Sequence, residues 1–284
     1  MSATTQAAAR PTLGVAFYGK GGVGKSTVAA HVSVALHEAG LRVLLVGCDP
    51  KQDASVRFGV PTGAPTLVDA IAAGRMPGFD ELRRRTTAGV DVIETGGAEP
   101  GTGCAGRGVA SLVELLRRED VQARGYDALC FDVLGDLVCG GFVAPLRLGL
   151  VQHVFVVASE EVASLFVAAN VARVVLQPYN QGVALGGVIF NLRRDDAPTD
   201  VLREFAEHFG MNVLGFVHRD ALVLEAEARR TTVLDYRPTA PIAEVFRGLA
   251  REIRAATQAP VARRPTPGDQ SAFWDWVRLH KELL

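Results

Sequence analysis

A doubly wound α/β fold, a mostly parallel sheet with helices on both faces, is what three features of this 284-residue sequence predict. Short continuous apolar runs alternate with longer stretches of helical periodicity, the pattern of a parallel sheet buried on both faces. Every Gly-rich or Asp-rich cluster follows one of those runs, which places the clusters at the carboxyl ends of strands, where such sheets bind ligands. Hydrophobic residues make up 48% of the chain and charged residues 21%, enough to fill one large core or two smaller ones.

The elements follow in order. Residues 1–11 lack an apolar leader segment and read as a disordered tail. The first strand is Leu13-Gly-Val-Ala-Phe-Tyr18, broken by a glycine cluster and followed by a helix over 26–38 that Gly40 stops. Further strands are expected at 41–46, 90–94, 128–133, 154–158, 187–190 and 213–217, and helices at 109–118, 161–176 and 200–209. One domain is therefore expected over 12–258. Residues 259–284 read as a Pro-rich linker and a C-terminal tail, in which Phe273-Trp-Asp-Trp276 and the residues after it form a short amphipathic helix. This tail has three readings: a loose end, a wrap around another subunit, or a partner contact.

Composition excludes several classes. Four cysteines, at 48, 104, 130 and 139, cannot staple a chain of this length, so a reducing, cytoplasmic setting is expected. A net charge of −1 gives no pull toward nucleic acid or an anionic membrane. No apolar run is long enough to span a bilayer. The six histidines show no ligand spacing, and Arg83-Arg-Arg85 reads as a solvated face. Glycine is in surplus, 30 residues where average usage gives about 20.

Gly19-Lys-Gly-Gly-Val-Gly-Lys-Ser26 matches the phosphate-binding P-loop and lies between a strand and a helix, the setting that the motif requires. Backbone N–H groups of Gly21, Gly22, Val23 and Gly24 would wrap phosphates, aided by the positive end of the helix. Lys25 would bridge the outer phosphates, and Ser26 would ligate Mg²⁺. Lys20, just after the first glycine, is the mark of the deviant Walker A group. In those ATPases this lysine reaches the nucleotide of the opposing subunit, so a two-fold homodimer is implied. Three of the four lysines, Lys20, Lys25 and Lys51, lie in such Gly- or Asp-rich turns.

Two acidic clusters suit the same sheet edge: Asp49-Pro-Lys-Gln-Asp53 and Phe131-Asp-Val-Leu-Gly-Asp136. A carboxylate at the end of an apolar strand is costly unless it serves a cation, which suits Asp132, while Asp49 or Asp53 would orient an attacking water. The plainer alternatives are an Asp-Pro turn opener and a helix cap at Asp136. Cys104 and Cys139 stand in glycine-rich turns at this edge. Cys130 lies inside an apolar strand, and Cys48 is either packed or beside the site. A [4Fe–4S] cluster takes four thiolates, and two chains would supply Cys104 and Cys139 twice. By spacing alone, free thiols in loops are the favoured reading.

FYGKGGVGKST, GCDPKQD, ETGGAEPGTGCAGRG and FDVLGDLVCGGFVAPLR, in this order, resemble the nitrogenase iron protein family. That family includes the iron proteins of protochlorophyllide, chlorophyllide and methylthio-alkane reductases. The resemblance covers about residues 13–257 and takes in Ile189-Phe-Asn191 and Phe216-Val-His-Arg-Asp220. It implies a homodimer with one MgATP site per subunit and one bridging [4Fe–4S] cluster. Nucleotide-driven changes of shape would gate electron transfer to a heteromeric catalytic component, with ferredoxin or flavodoxin as donor. Carried over, Cys104 and Cys139 are the cluster ligands, and Lys20, Lys25, Ser26 and Thr27 hold phosphate and Mg²⁺. Asp49, Lys51 and Asp53 form a first nucleotide-sensing switch. Residues 132–136 form a second, with Asp132 and Asp136 leading into Cys139. Asn191, Arg219 and Asp220 lie on the base side, and Arg107 matches a docking-face arginine that some members have ADP-ribosylated.

The sequence departs from the family pattern at Val28, at Ala54-Ser55, at Ala98 in Gly96-Gly-Ala-Glu99, and at His218, where proline is usual. None is a cluster ligand or phosphate-side group. The departures favour a nitrogenase-like system with another substrate, such as methylthio-alkane reductase, over dinitrogenase reductase. A partitioning ATPase without a redox centre, and an iron–sulfur carrier for cluster assembly, are the readings from other classes.

Overall fold

The computed structural model describes residues 12–61, 63–97, 105–133, 143–177, 182–258 and 270–281. Among these described residues eight strands form one sheet: β1 Leu13–Tyr18, β2 Val43–Gly47, β3 Arg84–Arg85, β4 Asp91–Glu94, β5 Ala128–Asp132, β6 His153–Ala158, β7 Ala184–Asn191 and β8 Val213–Val217. Their order is β3-β4-β2-β5-β1-β6-β7-β8, parallel throughout except for the short antiparallel β3. The sheet is therefore the doubly wound, mostly parallel one that the alternation of apolar runs predicts.

Strand side chains alternate between two cores, as a two-residue period requires. Ala16, Tyr18, Leu44, Val46, Leu129 and Phe131 join one core. It is covered by α5 Ala105–Arg118, α7 Val162–Val175, α8 Thr199–His208 and α12 Gln270–His280. Val15, Phe17, Val43, Leu45, Cys130 and Phe155 join the other, under α1 Lys25–Glu38, α10 Val233–Tyr236 and α11 Pro241–Gln258. Because α1 is held between the sheet and α11, it is buried nearly all round, with eleven of its fourteen residues out of solvent.

Two readings change here. Arg83 and Arg85 are not simply a solvated face. Their guanidiniums lie 3.4 and 3.2 Å from the carboxylate of Asp91, which is fully buried and also accepts the Tyr126 hydroxyl at 2.7 Å. A buried carboxylate must be paired, so these arginines secure the edge strand β3 against β4. The C-terminal segment is not a loose end either: α12 lays Phe273 and Trp276 into the core against Phe166, Phe205 and Phe209. Residues 1–11 and most of the linker lie outside the described residues. Among the described residues no helix is long and apolar enough to cross a membrane.

Register explains where the loops gather. Phe17 and Gly47 both pair with Asp132, and Gly47 also pairs with Glu94. The carboxyl ends of β1, β2, β4 and β5 therefore finish level, and the turns that follow them share one edge.

Candidate functional site

The turn after β1 is shaped by its glycines. Gly24 has φ 97°, a left-handed conformation that only glycine adopts cheaply, and a Cβ there would collide with the Asn191 amide. That amide donates to the Val23 carbonyl at 2.7 Å, and the Arg193 guanidinium donates to the Gly22 carbonyl. The turn is thus held from β7 and the loop after it. Glu160 fixes that loop in turn, accepting the backbone N–H of Arg193 at 3.0 Å and of Arg194 at 2.9 Å. Lys25 opens α1 and is buried, its ammonium 3.5 Å from the Lys20 carbonyl.

A cavity of about 570 Å³ opens over this turn. Of the residues singled out in the sequence, Gly21, Gly22, Gly24, Lys25, Ser26, Thr27, Asp49, Lys51, Asp53, Asn191, Arg219 and Asp220 line it. Three do not. Val23 points into the core, and the Lys20 ammonium turns away to Glu161, 3.3 Å distant. Asp132 is buried beside the turn, hydrogen-bonded to Ser26 and facing Lys25. Burial pushes the Asp132 carboxyl up to about 6, against the opposing pull of Ser26 and Lys25. Its Oδ2 has no partner among the described residues.

Asp49 accepts the Lys51 N–H at 2.9 Å, the turn-opening geometry that Asp-Pro favours, and Asp53 is the first residue of α2 Asp53–Val56. Asp220 both lines the cavity and caps α9 Ala221–Ala228, accepting the Leu222 N–H at 2.8 Å.

Sequence reasoning missed the wall opposite the glycine turn. There Glu227 of α9 accepts the Thr27 hydroxyl and the Arg57 guanidinium on one oxygen, each at 2.6 Å. These partners are 200 and 170 residues away, and nothing local marks Glu227 within an ordinary helix. Phe246 of α11 completes the wall and stacks on His31 at 4.1 Å. His31 Nδ1 donates to the Thr27 carbonyl at 2.7 Å, while Nε2 accepts the Val233 N–H at 3.0 Å. Only a neutral ring satisfies both bonds, and burial lowers its pKa to about 4.

Beneath the cavity lies a second buried carboxyl, Glu94, raised to about 8 by burial and by nearby Asp132 and Asp49. Cys48 and Cys130 are both buried, and desolvation pushes the Cys130 thiol up to about 12 and the Cys48 thiol up as well. Sealed thiols of this kind do not reach a cluster. Cys104, Cys139 and Asp136 lie outside the described residues, while Arg107 is exposed on the first turn of α5.

A parallel sheet with this glycine turn between β1 and α1 defines a P-loop nucleoside triphosphatase fold. A structural likeness supports the class: the septum site-determining protein MinD of Pyrococcus horikoshii, complexed with Mg-ADP, superposes with TM-score 0.69 at 22% identity, covering 87% of this chain and 98% of that one. More particularly, the chain belongs to the NifH/frxC family of 4Fe-4S iron sulfur cluster binding proteins, whose model matches residues 13–276. It is 40% identical over 264 residues to nitrogenase iron protein 2 of Methanothermobacter thermautotrophicus, covering 93% of this chain and 97% of the relative. To nitrogenase iron protein 2 of Methanothermococcus thermolithotrophicus it is 37% identical over 257 residues, covering 84% and 87%.

Proposed function

We propose that this chain is the ATP-driven reductase component of a nitrogenase-like enzyme, a homodimer that delivers electrons to a separate catalytic component. The observation that carries this is the family match along 13–276 on a chain whose P-loop opens into a cavity of nucleotide size. In this reading Gly21, Gly22, Val23 and Gly24 wrap the phosphates, Lys25 neutralises the outer ones, and Thr27 and Lys51 support them. Lys20 serves the opposing subunit's nucleotide. Ser26 binds Mg²⁺, and the unpartnered Oδ2 of Asp132 is suited to accept from its water. Asp49 and Asp53 orient the attacking water. Asn191, Arg219 and Asp220 face the base and ribose.

The thiol chemistry fits a bridging [4Fe–4S] cluster. With Cys48 and Cys130 sealed, Cys104 and Cys139 are left to ligate it, two from each subunit. The cluster supplies one-electron redox chemistry. Around it, the chain's own contribution is mechanical: Asp132, at the end of β5, and Asp136 sense the nucleotide in the segment that leads in sequence to Cys139, and Arg107 stands on the docking face. Ferredoxin or flavodoxin serves as donor. The departures at Ala98 and His218 favour a catalytic partner of the methylthio-alkane reductase type, with dinitrogenase as the alternative. The domain is taken as 12–258 with α12 packed back onto its core, in the cytoplasm.

Anaerobic purification tests the reading. The wild-type dimer should be brown and bleach on reduction. Cys104→Ser or Cys139→Ser should lose iron and keep nucleotide affinity within a few-fold, and Cys48→Ser and Cys130→Ala should keep the cluster. A colourless, iron-free wild-type dimer that still hydrolyses ATP would instead identify a positioning ATPase.

A further inference from the structure

Below the cavity, the end of β4 meets the loop after β2 at points that the nucleotide chemistry does not use. Glu94 is 7% exposed, and its Oε1 accepts the Ser55 N–H at 2.7 Å, two residues beyond Asp53. The next residue, Thr95, donates its N–H to the Gly47 carbonyl at 2.9 Å. Gly97 lies so close to Pro50 that a Cβ there would collide with the proline ring. Three contacts thus join 47–55 to 94–97. A further layer continues outward. A Cβ on Gly108, in the first turn of α5, would stand 3.0 Å from the methyl groups of Thr95 and Val68. The same turn carries the exposed Arg107.

We propose that Glu94 is a positioning residue that carries the state of the 49–55 loop to the first turn of α5, and so to the surface where Arg107 stands. The proposal rests on the reading of 49–53 as a nucleotide-sensing loop. A buried N–H without an acceptor is strongly disfavoured, so a displacement of α2 either draws Glu94 with it or breaks their bond. Drawing Glu94 moves Thr95, and the close packing of Thr95 on Gly108 passes the shift to α5. Both sites then bias one packed element, which is the physical requirement for coupling.

The test is hydrogen–deuterium exchange of the full chain, with and without a magnesium complex of a non-hydrolysable ATP analogue, read in peptides covering 94–97 and 106–112. Nucleotide affinity is measured alongside by calorimetry. In wild type the analogue should change exchange in 106–112 at least twofold. Glu94→Gln keeps an acceptor for Ser55 and should preserve that response. Glu94→Ala should bind the analogue within about threefold of wild type yet lose at least half of the response. Where the alanine variant is unfolded, Glu94→Asp, one methylene too short to reach Ser55, is read instead with the same expectation. A wild-type response in the alanine variant, or in the aspartate variant where that one is read, overturns the proposal, as does a lost response in Glu94→Gln. Wild type that fails to bind the analogue overturns the nucleotide reading itself and takes this inference with it.

Discussion

The two walls of the cavity are made in opposite ways. One is the turn between β1 and α1, a single run of residues whose shape is set by local glycine conformation and the start of a helix. The other is assembled from the loop after β7, α9 and α11, and its side chains find their partners across most of the chain. A wall made locally is pre-formed and suits chemistry, where small displacements cost rate. A wall made by long-range contacts can shift with its elements, which suits sensing and affinity.

Lys25 is the sharpest way to separate them. Its ammonium is buried in the local wall beside Asp132. Lys25→Ala should lower ATP hydrolysis by roughly 10²–10³-fold, about 3–4 kcal/mol of barrier, as loss of one aimed cationic donor does. Iron content should stay unchanged. Steady-state turnover and iron assay check both parts, and a loss under tenfold would place the phosphates elsewhere.

His31 is the joint between the walls, bonded to Thr27 on one side and Val233 on the other while stacked on Phe246. Its folded pKa is about 4 against 6.5 unfolded, so the unfolded chain takes up the proton first as pH falls. The stability that neutral His31 contributes is fully present above 6.5 and is lost as pH drops toward 4. Between pH 7 and pH 5 this amounts to about 2 kcal/mol. Urea midpoints of wild type and His31→Gln at both pH values give the comparison. Wild type should lose more than the glutamine variant over this interval.

How far the sequence was legible follows the same division. Gly19, Gly24, Lys25 and Ser26 were readable because phosphate chemistry fixes residue types at short spacing. The strands β1, β2, β5 and β6 were readable because a sheet buried on both faces leaves unbroken apolar runs. Glu227, Arg57 and Arg193 were not, since each is an ordinary charged residue until folding brings its partner from far along the chain. Arg83 and Arg85 read as surface charge for the same reason: Asp91, which pairs with them, sits inside an apolar strand. The burial of α12 depended on an aromatic cluster gathered from α7 and α8, which no window of sequence contains.

On the assembled wall, Glu227→Ala leaves the Thr27 hydroxyl and the Arg57 guanidinium without their shared acceptor. The expected result is a KM for ATP raised about tenfold, near 1.4 kcal/mol, with kcat within threefold. The KM and kcat effects separate the walls. A kcat that falls as far as it does for Lys25→Ala would mean that Glu227 belongs to the chemistry and that the division is wrong.

The smallest effect belongs to Lys20, which the motif places on the local wall but whose ammonium turns out of the cavity to Glu161. Both side chains are substantially exposed, at 38% and 51%, so solvent screens their attraction and ordering two long chains offsets much of it. Glu161→Gln should therefore change the stability of the chain by less than about 0.5 kcal/mol. What it should alter is readiness. A Lys20 released from Glu161 is free to reach a second subunit, so dimerisation in the presence of nucleotide should tighten slightly, by a factor of two or three in analytical ultracentrifugation. Weaker dimerisation would show that Glu161 holds Lys20 in the orientation it needs, and that the lysine is part of the local wall after all.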